Sequence, residues 1–345
     1  MENYEIPLIN KEVIDYKGTR RACVAPMLDW TDRHFRYMAR QITENAWLYS
    51  EMINAGAIIY GDKDRFLMFN EGEQPVALQL GGSESADLAK AAKAAEEYGY
   101  NEINLNCGCP SPRVQKGAFG ACLMNEVGLV ADCLNAMQDA VDIPVTVKHR
   151  IGVDRQTEYG VAAEFVGTLY EKTACRTFIV HARNAWLDGL SPKENREVPP
   201  LKYDYVYRLK QDFPELEIII NGGITTNGQI SEHLKHVDGV MVGREAYHNP
   251  MIMRDWDRLF YGESSPPVEY ADLVRKLYEY SRAQIQAGRG TILRHIVRHS
   301  LGFMHGLKNA RTWRRMLSDA ALLKDNDGSL ILDAWREVEK ANIWE

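Results

Sequence analysis

Eight short apolar runs, each ending on a glycine or a polar residue, recur along the first two thirds of this 345-residue chain. Segments rich in Ala, Glu and Lys separate the runs, and their apolar residues have the spacing of amphipathic helices. Eight strand–helix units in about 230 residues predict an α/β fold of the (β/α)8 TIM-barrel type, which typically needs ~250 residues. The runs span residues 21–26, 45–51, 75–80, 102–108, 145–150, 177–182, 217–223 and 239–244.

A doubly wound open sheet uses the same alternation of strands and helices, and it is the alternative fold. The barrel is favoured because the runs number eight, and because polar or glycine residues follow nearly every run instead of clustering at one switch point. In a barrel, all of these carboxyl ends meet at one mouth. The runs also show little polar alternation, which suits a parallel sheet that is buried on both faces.

The barrel is expected to occupy residues 21–262, after an N-terminal extension at residues 1–20. The stretch ESSPP at residues 263–267 has the composition of a linker. Residues 268–345 carry several Arg- and Leu-rich amphipathic stretches, which predict a C-terminal all-helical domain.

The composition of the chain bears on its cellular location and on whether it holds a metal site or disulfides. The N-terminus has acidic residues and no apolar core, and charged residues interrupt every apolar run before it reaches membrane-spanning length. We therefore expect a cytoplasmic protein with no membrane contact. The six cysteines form no CxxC pair and no zinc-finger spacing with histidine, so neither a metal site nor a disulfide framework is expected.

The loops after the seventh and eighth runs have the composition of a phosphate site. They read Asn221-Gly222-Gly223 and Gly243-Arg244. In TIM barrels these two loops often bind phosphate through backbone N–H groups. Glycine lets a phosphate approach the backbone closely, and Arg244 can add a charge-assisted hydrogen bond.

The other strand ends suit a flat ring. Lys148 supplies a cation for an anionic ring such as a reduced flavin, with His181 at the next strand end, and Gln79 supplies an amide for an imide edge. The apolar stretch Pro26-Met27-Leu28 can cover a ring face. Together with the phosphate loops, these residues predict bound FMN. The chain has no GxGxxG motif, so a dinucleotide in a Rossmann site is not supported.

Two cysteines flank one glycine where the fourth run ends, in the stretch NLNCGCPSPRVQKGAFGACLM. A flavin supplies a hydride but no proton, so reduction of a polarised C=C bond needs an acid nearby. A thiol with a pKa of about 8.5 is mostly protonated at neutral pH. Cys109 precedes a proline and lies in the loop, so it is the candidate acid. Cys107 still belongs to the strand and is expected to be a packing or supporting residue.

Residues 289–315 contain seven Lys or Arg, three His and no acidic residue, although the whole chain has a net charge of −7. Arg311 and Arg314 share a helix face at i, i+3 spacing, and Arg294 and Arg298 form a secondary face. Phosphates attract cations, and unpaired bases stack on aromatic rings. Aromatic side chains are interleaved with these cations, namely Phe303, His305 and Trp313.

Five stretches resemble the tRNA-dihydrouridine synthases, in the order found in that family. They are APMLDWTDRHFR, LNCGCPSPRVQKGAFGACLM, VKHRIGVD, VHARNAWLDGLSPKENREVPPL and NGGI…VGREAYHNP. The resemblance covers residues from about 20 to 315, and the loop LSPKENR is similar to the A-type bacterial branch. It implies reduction of D-loop uridines, at positions 20 and 20a of tRNA, to 5,6-dihydrouridine, with FMN bound and NADPH as the reductant.

The same resemblance implies roles for individual residues. It makes Cys109 the proton donor and implies neither a metal nor a protein partner. The FMN positions that it implies are Pro26, Met27, Leu28, Gln79, Lys148, His181, Asn221, Gly222, Gly223, Gly243 and Arg244. The tRNA positions that it implies are Asn106, Lys193, Arg196, Arg311 and Arg314.

Three other functions are compatible with parts of the sequence. An FMN barrel that reduces a free small molecule, such as an enoate or a pyrimidine, would use the same cofactor residues. It would need neither the basic helical segment nor the LSPKENREVPPL loop. A non-catalytic RNA-binding protein would be colourless when purified. A barrel aldolase with Lys148 as Schiff base leaves Cys109 and Gln79 without roles.

Overall fold

The structure, a computed structural model that describes residues 18–342, is a closed barrel of eight parallel strands in sequential order. Each predicted run forms one strand, so the predicted fold class is confirmed. The strands are β1 (Ala22–Val24), β2 (Trp47–Asn54), β3 (Val76–Gly81), β4 (Glu102–Cys107), β5 (Val145–Arg150), β6 (Thr177–His181), β7 (Glu217–Asn221) and β8 (Gly239–Val242).

The helices cover the outside of the barrel and then continue into the C-terminal region. Those that belong to the barrel are α1 (Arg33–Arg40), α2 (Ala55–Tyr60), α3 (Lys63–Leu67), α4 (Ser85–Tyr98), α5 (Pro112–Lys116), α6 (Val127–Ala140), α7 (Tyr159–Lys172), α8 (Tyr203–Asp212), α9 (Asn227–His233), α10 (Arg244–His248) and α11 (Trp256–Tyr261). The C-terminal helices are α12 (Tyr270–Gln286), α13 (Leu293–Val297), α14 (Ala310–Met316) and α15 (Ser329–Glu339).

Side chains alternate along each strand between the barrel interior and the layer of helices. The larger apolar core lies between strands and helices, and Cys107 is fully buried there, as expected for a packing residue. A separate cluster fills the interior, formed by Cys23, Ala25, Trp47, Tyr49, Ala77, Ile179, Ile219 and Met241. Two residues beyond this cluster, the next inward side chains of the strands reach the mouth.

The amino ends of the strands are closed by a buried ion-pair network. Arg20 Nε lies 2.7 Å from Glu102 Oε2, and Arg20 Nη1 lies 2.8 Å from Glu217 Oε2. The guanidinium also lies over the ring of Trp47, 4.4 Å from its centroid. Arg20 is the last residue of the segment that the sequence sets apart as an extension, and here it lies inside the base of the barrel.

The C-terminal helices pack against the first barrel helix. Asp32 caps α1 and accepts hydrogen bonds from Arg298 Nη2 at 2.8 Å and His299 Nε2 at 3.0 Å. Two residues after Asp32, in the first turn of α1, the buried His34 Nδ1 lies 2.7 Å from the hydroxyl of Tyr280 on α12. These contacts attach the helical region close to the β1 side of the mouth.

Residues 1–17 of the predicted N-terminal extension lie outside the described residues, and the domain boundaries at 21–262 and 268–345 stay predictions. Between residues 18 and 342, no helix has the length and the apolar character that crossing a membrane requires.

Candidate functional site

The mouth is lined by polar side chains from adjacent strands. His181 follows the interior residue Ile179 by two positions, and Asn221 follows Ile219 in the same way, so both point inward. The register pairs His181 with Asn221 across β6 and β7, and Asn106 with Lys148 across β4 and β5. The strands thus bring together the mouth residues that the sequence predicted, namely Gln79, Asn106, Lys148, His181, Asn221 and Gly243.

Lys148 is the cation at the centre of this ring of side chains. Its Nζ donates to Asn221 Oδ1 at 3.1 Å, and Asn221 Nδ2 in turn donates to the carbonyl oxygen of Met241 at 2.8 Å. Burial, together with the positive charge of Arg150, lowers the pKa of Lys148 to about 7. An anion at the mouth would restore the charged form, because opposite charges favour ionisation.

Cys109 lies in the loop after β4 and is partly exposed. Asn106 Oδ1 accepts the N–H of Cys109 at 3.0 Å and that of Gly108 at 3.2 Å. The carbonyl oxygen of Cys109 accepts the N–H of Ala121 at 2.9 Å. Both the N–H and the carbonyl oxygen of Cys109 are therefore held by hydrogen bonds, so the position of its Cα atom is fixed.

The environment of Cys109 keeps its thiol protonated. Burial raises the pKa of Cys109 above its ordinary value, although the charges of Arg150, Lys148 and Arg196 act in the opposite direction. A raised pKa means that the thiol carries its proton at neutral pH. This is the state required of a proton donor, and the opposite of that required of a nucleophile.

Arg150 connects the Cys109 loop to the loop after β6. Its Nε donates to the carbonyl oxygen of Gly108 at 3.0 Å, and its Nη1 donates to the carbonyl oxygens of Asn184 at 3.1 Å and Asn195 at 2.9 Å. The Asn195 side chain also bonds the N–H and the carbonyl oxygen of Trp186, each at 2.8 Å. Sequence reasoning missed both connecting residues, because their partners are backbone groups, which leave no residue pattern, and those of Arg150 are also far away in the chain.

The glycines after β7 have a backbone conformation and close neighbours that other residues would not tolerate, and the glycine after β8 leaves open space beside its backbone. Gly222 and Gly223 have φ of +122° and +69°. A Cβ on Gly222 would lie 2.7 Å from His181 Cδ2, and one on Gly243 would meet nothing closer than 3.8 Å. The N–H groups of these three glycines donate to no acceptor within residues 18–342. This is a cradle of free backbone donors, which is what a phosphate requires.

Three guanidinium groups surround the cradle. The charge of Arg244 lowers the pKa of both Arg183 and Arg196, after burial as the main cause. The Nε atoms of Arg183 and Arg196 are buried and have no hydrogen-bond partner within the described chain. Glu197 pairs with Arg244 at 2.7 Å. One carboxylate among three cations leaves an excess of positive charge, which favours an anion.

The remaining predicted cofactor residues are His181 and the stretch Pro26-Met27-Leu28, and they differ in burial. The pKa of His181 lies well below its ordinary value because of burial and the charges of Arg150, Lys148 and Arg183, so its imidazole is neutral. Met27 packs against the interior cluster. Pro26 is partly buried, and Leu28 is 63% exposed at the rim.

The predicted RNA contacts lie in two places. Lys193 is exposed and Arg196 half-buried on the short turn after β6. Arg311 and Arg314 are exposed on α14, and within residues 18–342 neither forms an ion pair. The two groups thus belong to the barrel mouth and to the helical region respectively.

The structure corrects the prediction that Phe303 and Trp313, in the basic segment 289–315, can stack on unpaired bases. Phe303 is 1% exposed and Trp313 is fully buried, with its Nε1 donating to the carbonyl oxygen of Ser300 at 2.9 Å. Trp313 lies on the inward face of α14 and Phe303 lies in the turn between α13 and α14, and both rings pack into the helical core, so they are not available for base stacking. Arg298 pairs with Asp32 at 2.8 Å, while Arg294 is exposed.

Comparisons with known proteins agree with this arrangement. The dihydrouridine synthase family model matches residues 23–339. The tRNA-dihydrouridine(20/20a) synthase of Yersinia pestis is 56% identical over 302 residues, which are 88% of this chain and 87% of that protein. The enzyme of the same name from Escherichia coli K12 is 53% identical over 324 residues, covering 92% of this chain and 93% of that one.

A solved structure of a 2-naphthoyl-CoA reductase complex shares the fold. It has a TM-score of 0.52 and 10% sequence identity, and the match covers 68% of this chain and 49% of that one. At this identity the likeness concerns the fold alone.

Proposed function

The chain belongs to the dihydrouridine synthase family, and we propose that it reduces uridines in the D-loop of tRNA to 5,6-dihydrouridine. The observation that carries this proposal is the placement of Cys109, whose N–H is held by Asn106 beside Lys148 at a cationic barrel mouth and whose thiol pKa is raised by burial. The relatives' shared name supports uridines 20 and 20a as the targets.

FMN is the cofactor that we propose, and the residues present fit it. The free N–H groups of Gly222, Gly223 and Gly243, with Arg244 next to them, suit a phosphate dianion. Lys148, Gln79, Asn221 and the neutral His181 then offer a cation and hydrogen-bonding groups at the centre of the mouth for the ring. Pro26, Met27 and Leu28 are proposed to lie against the same ring.

In the proposed reaction, FMN held by these residues and reduced by NADPH would be the source of the hydride that C6 of the uracil ring requires. The thiol of Cys109 donates its proton to C5, so that one hydride and one proton saturate the C5–C6 bond. Lys148 holds a positive charge at the mouth and stabilises negative charge that develops there. Asn106 fixes the peptide of Cys109, so the thiol meets the flipped base from a defined direction.

The RNA is proposed to extend from the mouth to the helical region. Lys193 and Arg196 would bind it beside the opening, and Arg311 and Arg314 would bind its backbone farther away. A base in a folded RNA must leave its stack to reach the mouth, which costs a few kcal/mol. Contacts to phosphates on both sides of the base offset that cost and set which uridine enters.

The test is to incubate the purified protein with unmodified tRNA and NADPH and to map dihydrouridine by position. The proposal predicts a yellow protein, dihydrouridine at positions 20 and 20a, and no reduction of free uridine. A colourless protein that cannot be reconstituted with flavin would end the proposal. Efficient reduction of free uridine with intact tRNA left unmodified would favour a small-molecule reductase instead.

A further inference from the structure

We infer that a relay of buried polar side chains through the barrel interior positions the Cys109 loop, with Glu102, Thr146 and Asn104 as positioning residues for the acid. This inference rests on the proposed function, because it concerns the loop that holds the proposed proton donor. The relay runs from the base of the barrel to the mouth through Glu102, Thr146, Asn104, Gln79 and Asn106.

Each link of the relay is a short hydrogen bond between two strands. Thr146 Oγ1 donates to Glu102 Oε1 at 2.6 Å, and Asn104 Nδ2 donates to Thr146 Oγ1 at 2.8 Å. Gln79 Nε2 donates to Asn104 Oδ1 at 2.8 Å. Asn106 Nδ2 donates to Gln79 Oε1 at 2.9 Å. The relay thus crosses between β4, β5 and β3 and uses one donor and one acceptor of every amide.

The lower end of the relay fixes its direction. Glu102 is paired with Arg20 at 2.7 Å, and its Oε1 also accepts the hydroxyl of Tyr49 at 2.9 Å. A carboxylate paired in this way can only accept hydrogen bonds. Thr146 has one hydroxyl proton and gives it to this carboxylate at 2.6 Å, since the carbonyl oxygen of Ile103 is 3.5 Å away. The oxygen of Thr146 is then an acceptor for Asn104.

The upper end imposes the same direction independently. The backbone N–H groups of Gly108 and Cys109 can only donate, and both point at Asn106 Oδ1. The amide of Asn106 must therefore present its oxygen to the loop and its nitrogen to Gln79. Both ends demand the same orientation of every amide between them, so the relay has one arrangement in which all members are satisfied.

Burial makes the other arrangements costly. Glu102 and Asn104 are fully buried, and Gln79 and Thr146 are each 1% exposed. A flipped amide would bring two donors or two acceptors together, with no water to relieve the contact. Removing one link at the base should therefore loosen the amide of Asn106 at the mouth, although the two are separated by two intervening side chains.

The direction of the relay also determines which hydrogen-bonding groups of Gln79 and Asn106 remain for a ligand at the mouth. An amide nitrogen carries two protons, and the relay uses one from Gln79 and one from Asn106. Asn106 then has only an N–H left to offer, because its Oδ1 already accepts two backbone N–H groups, whereas Gln79 keeps one N–H and one lone pair of its Oε1. A group that meets Asn106 must therefore be a hydrogen-bond acceptor, such as a ring carbonyl of uracil or of a flavin, whereas Gln79 can pair with a carbonyl oxygen and an N–H together.

The test uses Thr146→Val, which removes the hydroxyl and keeps the shape of the side chain. Thr146→Ser restores the hydroxyl. The matched control is Thr177→Val, because Thr177 is also buried and its hydroxyl donates to Glu217 at 2.9 Å outside the relay. Asn104→Leu breaks the relay at another link and gives a second, independent variant. The readout is amide hydrogen exchange in the peptide of residues 107–111, followed in the intact protein.

We expect exchange in residues 107–111 to become about tenfold faster in Thr146→Val and Asn104→Leu, and to remain at the wild-type rate in Thr146→Ser and Thr177→Val. The kcat for uridine reduction should fall in parallel, with flavin content kept. Equal exchange in Thr146→Val and Thr177→Val would overturn the relay, as would wild-type exchange in Asn104→Leu. Since exchange needs no turnover, a wild-type protein that fails to reduce tRNA would refute the proposed function alone.

Discussion

Arg150 binds the carbonyl oxygen of Gly108 at 3.0 Å, so the peptide before Cys109 is attached to the neighbouring strand. The same guanidinium bonds two carbonyl oxygens of the loop after β6. One buried side chain therefore couples the loop of the proposed acid to the loop that carries Lys193 and Arg196. The proposed acid and the proposed RNA-binding loop are thus held by one side chain.

Replacement of Arg150 by Met should uncouple these loops. The buried carbonyl oxygens of Asn184 and Asn195 and the partly buried one of Gly108 lose this donor, which costs about 1–3 kcal/mol for each buried group left unsatisfied. We expect a drop in kcat of tenfold or more, about the effect of 1.4 kcal/mol in the transition state. Steady-state reduction of tRNA with flavin content measured in parallel checks this.

Arg176→Met is the matched control for that variant. Arg176 Nη1 also donates to three carbonyl oxygens, those of Tyr170, Thr173 and Cys175, but they lie at the C-terminal end of α7 and in the turn before β6, away from the mouth. Its loss should lower the melting temperature and leave kcat unchanged. An equal fall of kcat in both variants would show that Arg150 acts on stability alone.

Gly243→Ala tests the cofactor cradle. In the protein without ligand an added Cβ meets only Ala25 Cβ at 3.8 Å and Met27 Sδ at 3.9 Å, so the fold should accept it. If a phosphate approaches this backbone closely, the methyl group would exclude it. We expect purified Gly243→Ala to lose most of its bound flavin at an unchanged melting temperature of the flavin-free protein.

The control for the cradle is Gly160→Ala on α7, where an added Cβ meets nothing within 4 Å. It should retain flavin as the wild type does. Full flavin occupancy in Gly243→Ala would place the phosphate elsewhere.

Arg311 and Arg314 should contribute to RNA affinity through phosphates. Each lost phosphate contact changes the slope of log K against log salt by roughly 0.7–0.9, so Arg311→Gln/Arg314→Gln should flatten it by about 1.4–1.8. The affinity for tRNA is measured by filter binding at several salt concentrations. Lys90→Gln/Lys172→Gln removes the same charge from exposed positions on α4 and α7. An identical slope in both double variants would remove α14 from the RNA surface.

The contact between His34 and Tyr280 predicts a loss of stability in mild acid. Burial lowers the pKa of His34 to about 3 in the folded protein, against about 6.5 when unfolded. The unfolded state then binds more protons below pH 6.5, so stability is full above that pH and falls as the pH decreases toward 3. At pH 5 the loss from this group is about 2 kcal/mol.

Urea denaturation at pH 7 and pH 5 measures that loss. In His34→Gln the difference between the two pH values should shrink by about 2 kcal/mol. His236→Gln, at an exposed position on the barrel surface, is the control. The same pH dependence in His34→Gln and in the wild type would contradict the assignment.

The barrel and its mouth could be predicted from the sequence because their signals are local. The number of apolar runs and the polar or glycine residues at their carboxyl ends are enough to place Lys148, His181 and Asn221 at one opening. Cys109 is identified in the same way, from its place in the loop after the fourth run and before a proline, and the resemblance implies the same role for it.

Other features depend on contacts between distant parts of the chain. Arg150, Asn195 and the relay through Thr146 act through partners 40 or more residues away or through backbone carbonyls, which leave no pattern in the sequence. For Trp313 the local sequence is misleading, because it predicts an exposed ring on the RNA surface. Its arginine neighbours are exposed, yet its own helix face packs into the helical core, and only the tertiary fold decides which face is buried.

The most direct measurement compares Cys109→Ala with the wild type after the bound flavin has been reduced. Each protein is mixed with unmodified tRNA under anaerobic conditions, and flavin reoxidation is followed by absorbance. Cys122→Ala, which removes another partly exposed thiol from the same loop region, is the control.

We expect Cys109→Ala to keep its flavin and its oxidation of NADPH, while reoxidation by tRNA slows by about 10²–10⁴-fold, the usual worth of a general acid. Cys122→Ala should behave as the wild type. Reoxidation of Cys109→Ala at the wild-type rate, with dihydrouridine formed, would contradict the account.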